Sequence, residues 1–218
     1  MRLRNIPGAE EHIAKSPFVV NDPQSFRGQW KDAVFSGRGP VRLEIGCGKG
    51  QFLNALALLH PECCYLGIEK MSSVLLRAVE KAEAAGSAEE LQNLRFLRFD
   101  AEEILELFAP GEIDRIYLNF SDPWPKDRHH KRRLTSREFL ERYEAILSPG
   151  GIVEFKTDNA ALFDFSLVEL KARNWKILEM TRDLHKSPLN ENNIMTEYEQ
   201  KFSALGAKIC KLTARPGG

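Results

Sequence analysis

The chain has 218 residues, 43% hydrophobic and 28% charged, enough for one buried core in one domain or one domain with short extensions. Its 31 Lys and Arg balance its 31 Asp and Glu, so affinity for nucleic acid has to come from local clustering of charge. No apolar run reaches the roughly 20 residues needed to cross a bilayer, and the first residues lack a signal-peptide core, which predicts a cytoplasmic protein with no membrane partner.

Residues 1–40 show no clear period and read as an N-terminal extension, partly flexible and available to RNA, with Arg2, Arg4, His12 and Lys15 as candidate ligand contacts. From Val41 the pattern becomes regular, and residues 41–218 read as one α/β domain. Strands are expected at Val41 to Ile45, Cys63 to Glu69, Leu94 to Phe99, Ile113 to Phe120 and Ile152 to Thr157. Helices are expected at Gln51 to His60, Ser72 to Ala85 with Ser72 as cap, Ala101 to Ala109, and Ala160 to Arg173. The spacing of Thr135 and Glu138 is that of a capping box opening a helix to about Leu147, and Ser148 to Gly151 reads as a turn. Two more strands are expected near Trp175 to Thr181 and Glu197 to Ala204, with Lys208 to Leu212 a further strand or part of the same hairpin. Repeated strand–helix alternation implies a mostly parallel sheet with helices on both faces. Cys47, Cys63, Cys64 and Cys210 have no metal-knuckle spacing and read as reduced, partly buried thiols; no metal site is expected.

Ligands of open parallel sheets sit at the carboxyl ends of the strands, and Gly46, Gly48 and Gly50 fall there, after the first strand. The spacing is Gly-x-Gly-x-Gly, preceded by Glu44, rather than the Gly-x-Gly-x-x-Gly of dinucleotide sites. A carboxylate beside the loop repels pyrophosphate and suits a ligand carrying an ammonium and a sulfonium, which points to S-adenosylmethionine and away from an NAD-dependent dehydrogenase. Glu69, ending the second strand, is placed for ribose hydroxyls. Asp100 and Ala101, ending the third, are placed for adenine, although an Asp there equally reads as a helix cap.

The segment Ser121-Asp122-Pro123-Trp124-Pro125-Lys126 follows the fourth strand, beside the first, where strand order reverses. Asp122 would face the transferable methyl group, and Trp124 would stack on a base or pack. Lys126-Asp127-Arg128-His129-His130-Lys131-Arg132-Arg133 then holds five Lys or Arg and one acid, a run suited to phosphates beside a base being modified.

Together these residues resemble the bacterial tRNA (guanine-N7-)-methyltransferases, the TrmB family, over roughly residues 40–205. The resemblance is carried by Leu43 to Gly50, by Ser121 to Lys126 with Arg128, His129, Lys131, Arg132 and Arg133, by Phe155-Lys156-Thr157-Asp158, and by Thr196-Glu197-Tyr198-Glu199. It implies a Rossmann-like class I S-adenosylmethionine-dependent methyltransferase fold with a seven-stranded sheet. It also implies methylation of a guanine in the tRNA variable loop, nucleotide 46, to 7-methylguanosine, by a monomer or homodimer without an obligatory partner. By the same resemblance Glu44, Glu69, Asp100 and Asp122 contact the cofactor and Asp122 is catalytic. Lys126, Asp158 and Thr196 to Glu199 bind substrate, and Arg128 to Arg133, His130 included, meet RNA; Asp127 puts a negative charge within that run.

Guanine N7 carries a free lone pair and no proton, so the transfer needs no ordinary general base. What it needs is alignment and a carboxylate near the ring as the ring gains charge, the role expected of Asp122. Asp158 and Glu199 are candidates to read the N1–H and amino edge of the purine, leaving N7 free. The rival readings are an exocyclic-amine nucleic-acid methyltransferase, since Asp-Pro-Trp-Pro partly resembles Asp-Pro-Pro-Tyr loops, and a noncatalytic RNA-binding module.

Overall fold

The computed structural model of the chain describes residues 6–217; the candidates Arg2 and Arg4 lie outside the described residues. Seven strands form one sheet: β1 (Val41–Ile45), β2 (Cys64–Glu69), β3 (Leu94–Arg98), β4 (Ile113–Asn119), β5 (Leu147–Thr157), β6 (Lys176–Thr181) and β7 (Cys210–Arg215). Their order across the sheet is β3-β2-β1-β4-β5-β7-β6. The first five strands run parallel, and β7 lies antiparallel to β5 and β6. Strand order reverses between β1 and β4, which opens the crevice where such sheets bind ligands.

Helices cover both faces, as predicted. The helices are α1 (Ala9–Lys15), α2 (Gln51–Leu59), α3 (Ser72–Ala85), α4 (Ile104–Leu107), α5 (Arg137–Ile146), α6 (Ala160–Ala172) and α7 (Glu197–Ala204). One apolar cluster joins Leu43, Ile45, Phe108, Phe139, Tyr143 and Phe163. The other joins Phe52, Leu53, Leu75, Val79, Tyr65 and Phe96. Alternation along β1 explains the split: Leu43 and Ile45 enter the first cluster, which leaves Glu44 pointing to the opposite face.

Three local expectations change. Glu197 to Ala204 is helix α7, not a strand, and the seventh strand is Cys210–Arg215. Tyr198 and Phe202 are four apart, a separation that satisfies both a strand's period of two and a helix's next turn, and their rings stack at 4.1 Å. The Thr196 hydroxyl decides the matter by accepting the Glu199 N–H at 3.0 Å as an N-cap. Ser72 is not a cap: the cap position is Met71, and the Ser72 hydroxyl meets Glu10 and Arg98. The Thr135–Glu138 capping box does not form either. Helix α5 starts one residue later, after Ser136, because Thr135 Oγ1 accepts from Ser166 and the Arg137 N–H is taken by Glu169. The predicted turn Ser148 to Gly151 survives as a bulge inside β5: Ile113 pairs with Leu147, and Arg115 with Ile152.

Residues 6–40, which look like an extension in the sequence, are packed against the sheet. Helix α1 lies on α3 and buries Ala9 and Ile13. Phe96 of β3 donates its N–H to Phe18 and accepts the Val20 N–H, a short parallel pairing at the sheet edge. Trp30 and Phe35 are fully buried, and Trp30 Nε1 donates to the Leu107 carbonyl at 2.8 Å. His12 pairs with Glu83 and Lys15 with Glu11, so neither of these candidates is free of a protein partner.

Candidate active site

The crevice is lined by acids. Glu44 lies in β1; Glu69, Asp100, Asp122 and Asp158 end or follow β2, β3, β4 and β5. Parallel register brings them to one edge, since Ile45 pairs with Ile68, Glu69 with Arg98, and Asn119 with Lys156.

The loop after β1 turns through three positive-φ glycines, Gly46 at 73°, Gly48 at 58° and Gly50 at 72°. Gly50 is needed twice over. It caps α2 in the left-handed region, and a Cβ there would lie 2.6 Å from the Cβ of Ala78. Gly46 has open space where its side chain would be, so its backbone faces the crevice uncovered.

Glu44 is 2% exposed. Its Oε1 accepts from Asn119 Nδ2 at 2.7 Å, while its Oε2 is buried without a partner among the described residues. Burial pushes this carboxyl up to about 8, against the Asn119 hydrogen bond and the charge of Lys156. Glu69 accepts the Gly48 N–H at 3.2 Å and the Met71 N–H at 2.9 Å. Burial raises it too, and the nearby charge of Asp122 adds to the rise. Asp122 itself is exposed and, among the described residues, makes no side-chain hydrogen bond. Asp100 takes the capping role that its position allowed: Oδ1 accepts the Glu102 N–H at 3.1 Å, just beyond Ala101, and Oδ2 pairs with Lys70. Burial alone would raise its carboxyl, but these partners hold it below its ordinary value.

The loop after β4 is held under strain. Phe120 and Trp124 are non-glycine residues at positive φ, 53° and 42°. Each such residue costs on the order of 1–3 kcal/mol and persists only where its surroundings fix it. The fixing contacts are visible. Phe120 donates its N–H to the Lys156 carbonyl at 2.9 Å, and Arg133 donates to the carbonyls of Pro123 and Trp124, both at 3.0 Å. Trp124 packs rather than standing free: His129 meets it edge-on and the Arg132 guanidinium lies 5.1 Å from its ring.

The basic run is a two-turn 3-10 helix over Asp127–Arg132, and it is not uniform. Lys126, Arg128, His130, Lys131 and Arg132 are exposed and His129 is half-buried. Arg133 is turned inward, on the loop carbonyls and 4.3 Å from the Phe165 ring. Its expected contact with RNA is replaced by a contact that shapes the Asp122 loop.

The segment Thr196 to Glu199 is a hub. Thr196 caps α7. Glu197 pairs with Lys81 of α3 and, at 3.5 Å, with Lys49 of the glycine loop. The Tyr198 hydroxyl donates to Asp158 Oδ2 at 3.1 Å, and its ring lies 4.9 Å from that of Phe120. Glu199 is fully buried, with Oε2 on Lys156 at 2.7 Å and Oε1 on Asn193 and His185 at 2.7 and 3.0 Å. It therefore has no free oxygen for the edge of a purine, unlike Asp158, whose Oδ1 is uncommitted among the described residues. Asn119, Phe120, Lys156, His185 and Asn193 were not singled out as site residues in the sequence. Only Lys156 has a usable signal, its place within the motif Phe155-Lys156-Thr157-Asp158.

The residues present fit S-adenosylmethionine on one observation above all, the buried and unpartnered oxygen of Glu44. Two acids raised by burial, Glu44 with one oxygen unpartnered and Glu69 held by backbone N–H groups, and an exposed third make a site short of positive charge, which an ammonium and a sulfonium supply. A pyrophosphate would find no matching positive charge among these acids.

Comparison with known proteins agrees. A family model described as "Putative methyltransferase" matches residues 38–212. A tRNA (guanine-N(7)-)-methyltransferase of Lachnoclostridium phytofermentans is 57% identical over 98% of both chains. One of Bacillus subtilis is 44% identical over 96% of both. The fold is shared with more distant solved structures: the 16S rRNA methyltransferase KamB at TM-score 0.64 and 14% identity, covering 86% of this chain and 92% of that one, and the antibiotic-resistance methyltransferase Kmr at 0.59 and 18%, covering 86% and 91%. Glycine loop, strained Asp-Pro-Trp-Pro turn and near-full-length relatives converge, and the chain belongs to the tRNA (guanine-N(7)-)-methyltransferase family.

Proposed function

We propose that the protein transfers a methyl group from S-adenosylmethionine to N7 of guanine 46 in the variable loop of tRNA, in the cytoplasm, as a monomer or homodimer without an obligatory partner. The observation that carries this reading is the convergence of an exposed, unpaired Asp122 on the acids of the cofactor crevice, with a basic run starting four residues later. No helix among the described residues is long and apolar enough to cross a membrane, and one chain supplies every residue named in the cleft.

The cofactor, when bound, supplies an electrophilic methyl group. Glu44 Oε2 and the glycine-loop backbone receive its amino-acid end, Glu69 its ribose, and the Asp100–Ala101 corner its adenine. Asp122 orients the purine and stabilises the positive charge that the ring gains as N7 is methylated. Asp158 Oδ1 accepts from the opposite edge of the base, so N7 points inward. Phe120 and Tyr198 give that base an aromatic wall. Lys126, Arg128, His130, Lys131 and Arg132 hold phosphates, which steers the variable loop over the cleft.

Digestion of unmodified tRNA after incubation with the protein and labelled cofactor, followed by mass spectrometry of the nucleosides, tests this. The expected product is 7-methylguanosine at nucleotide 46. Methylation on an exocyclic amine would overturn the N7 assignment, and single-turnover mixing without any methylated nucleoside would return the chain to RNA binding alone.

A further inference from the structure

Lys156 is a buried cation between the two halves of the cleft, 4% exposed. Its three ammonium protons have three acceptors, Glu199 Oε2 at 2.7 Å, the Ile194 carbonyl at 2.9 Å and Asn193 Oδ1 at 3.1 Å. The Phe52 ring of α2 lies 5.1 Å from Nζ. The charges that reach it are Glu199 and Glu44, which favour the ammonium, and Lys211, which opposes it. His185 bears on the far oxygen of Glu199. The main chain of the same residue holds the Asp122 loop, since the Lys156 carbonyl accepts the Phe120 N–H.

A buried ion pair is a poor source of stability compared with apolar packing of the same shape. This one ties the first turn of α7, which carries Tyr198, and the 193–194 loop to β5, whose main chain at the same residue holds the Asp122 loop and whose ammonium favours the charged form of Glu44. We propose that Lys156 is a positioning residue for methyl transfer, its ammonium fixing α7 and the 193–194 loop so that Tyr198 and Asp158 hold the purine in line with Asp122. The inference rests on the reading of Asp158 and Tyr198 as the wall of the guanine pocket.

The double variant K156M/E199Q removes both charges together at nearly unchanged side-chain volume, so no lone charge is left buried. Active sites are counted by calorimetry with S-adenosylmethionine, and kinetics are run on an unmodified tRNA transcript. The expected result is a fall in kcat per cofactor-binding site of about thirtyfold or more with KM for tRNA within about threefold, because alignment is lost while the phosphate contacts remain. A purely structural role would lower the number of sites and leave the turnover of each unchanged; kcat per site within threefold of the parent overturns the inference. Should the double variant not fold, Asn193→Ala carries the test, since it removes one acceptor of Lys156 and one donor to Glu199 at a half-buried position. A fall in kcat per site of about fivefold is then expected, and no fall overturns the proposal. Asp158→Asn is measured alongside. If it turns over normally, the pocket reading fails; if it is impaired while the Lys156 variants are not, the Lys156 inference fails alone.

Discussion

The two sides of the cleft are built on different principles. The heart of the proposed cofactor side is local: Glu44, Gly46, Gly48 and Gly50 fall within seven residues, the backbone supplies much of the surface, and Glu69 and Asp100 follow at the ends of the next two strands. The side proposed to take the substrate is assembled from afar, with Phe120, Lys156, His185, Asn193 and Glu199 meeting across up to 79 positions of sequence. A site made of backbone tolerates few substitutions at a few glycines. A site made of a side-chain network distributes its sensitivity over residues that never touch the ligand.

Asp122 belongs to both sides, and removing it should have the largest effect. Asp122→Ala is expected to lower kcat by about 100- to 1,000-fold, the cost of losing one preorganised stabilising group, while cofactor affinity changes much less. Near-normal turnover would dissolve the division of labour drawn here. On the cofactor side, Gly50→Ala forces a Cβ to 2.6 Å from Ala78 at a φ of 72°, so stability should drop by about 1–3 kcal/mol and cofactor affinity with it. Thermal unfolding together with calorimetry measures both; unaltered affinity would show that the α3 contact does not shape the loop.

The pH dependence sharpens the comparison further. With its carboxyl at about 8, Glu44 is mainly protonated at pH 7, and a cationic ligand must displace that proton. Cofactor affinity should therefore rise by up to about tenfold per unit from pH 6 and level off above pH 8, with up to one proton released on binding. The sign for folding is opposite: a carboxyl raised above its unfolded value makes the free protein lose stability as pH climbs through that window. Titrations in buffers of different ionisation heat detect the proton, and a flat profile would remove Glu44 from the ammonium site.

The smallest effects separate two neighbouring arginines. Arg132→Gln should weaken tRNA binding and reduce the salt slope by about 0.7–0.9, the share of one phosphate. Arg133→Gln should leave that slope unchanged and lower kcat instead, because its donors hold the Pro123 and Trp124 carbonyls. Equal salt behaviour in the two variants would mean that the inward turn of Arg133 does not persist when RNA is bound.

This contrast also explains what could be read in advance. Val41–Ile45 and Ser72–Ala85 are located to the residue because apolar periodicity, Gly46 and Gly86 are local signals. The spacing Thr-x-x-Glu occurs at Thr135 and again at Thr196, and only the second places its Thr as a cap. Nothing within either tetrapeptide tells them apart; Ser166 and Glu169, some thirty residues on, claim the groups of the first. Glu199 reads as a ligand contact from its motif, yet Lys156, His185 and Asn193 occupy it, a fact that lives in tertiary structure alone. The order of residues 6–40 is hidden for the same reason, since Trp30 buries itself against partners more than 70 positions away, Leu107 and Phe108.

The stacking of Trp124 has a practical side. The chain has three tryptophans, and Trp30 and Trp175 are 0% and 6% exposed. Trp124 is half-buried between the His129 ring and the Arg132 guanidinium, so the phosphate contacts proposed for the basic run would change its surroundings. On that reading its fluorescence would serve as an optical signal for RNA arrival, readable in stopped flow without a label, with a time course that separates docking from the chemistry that follows.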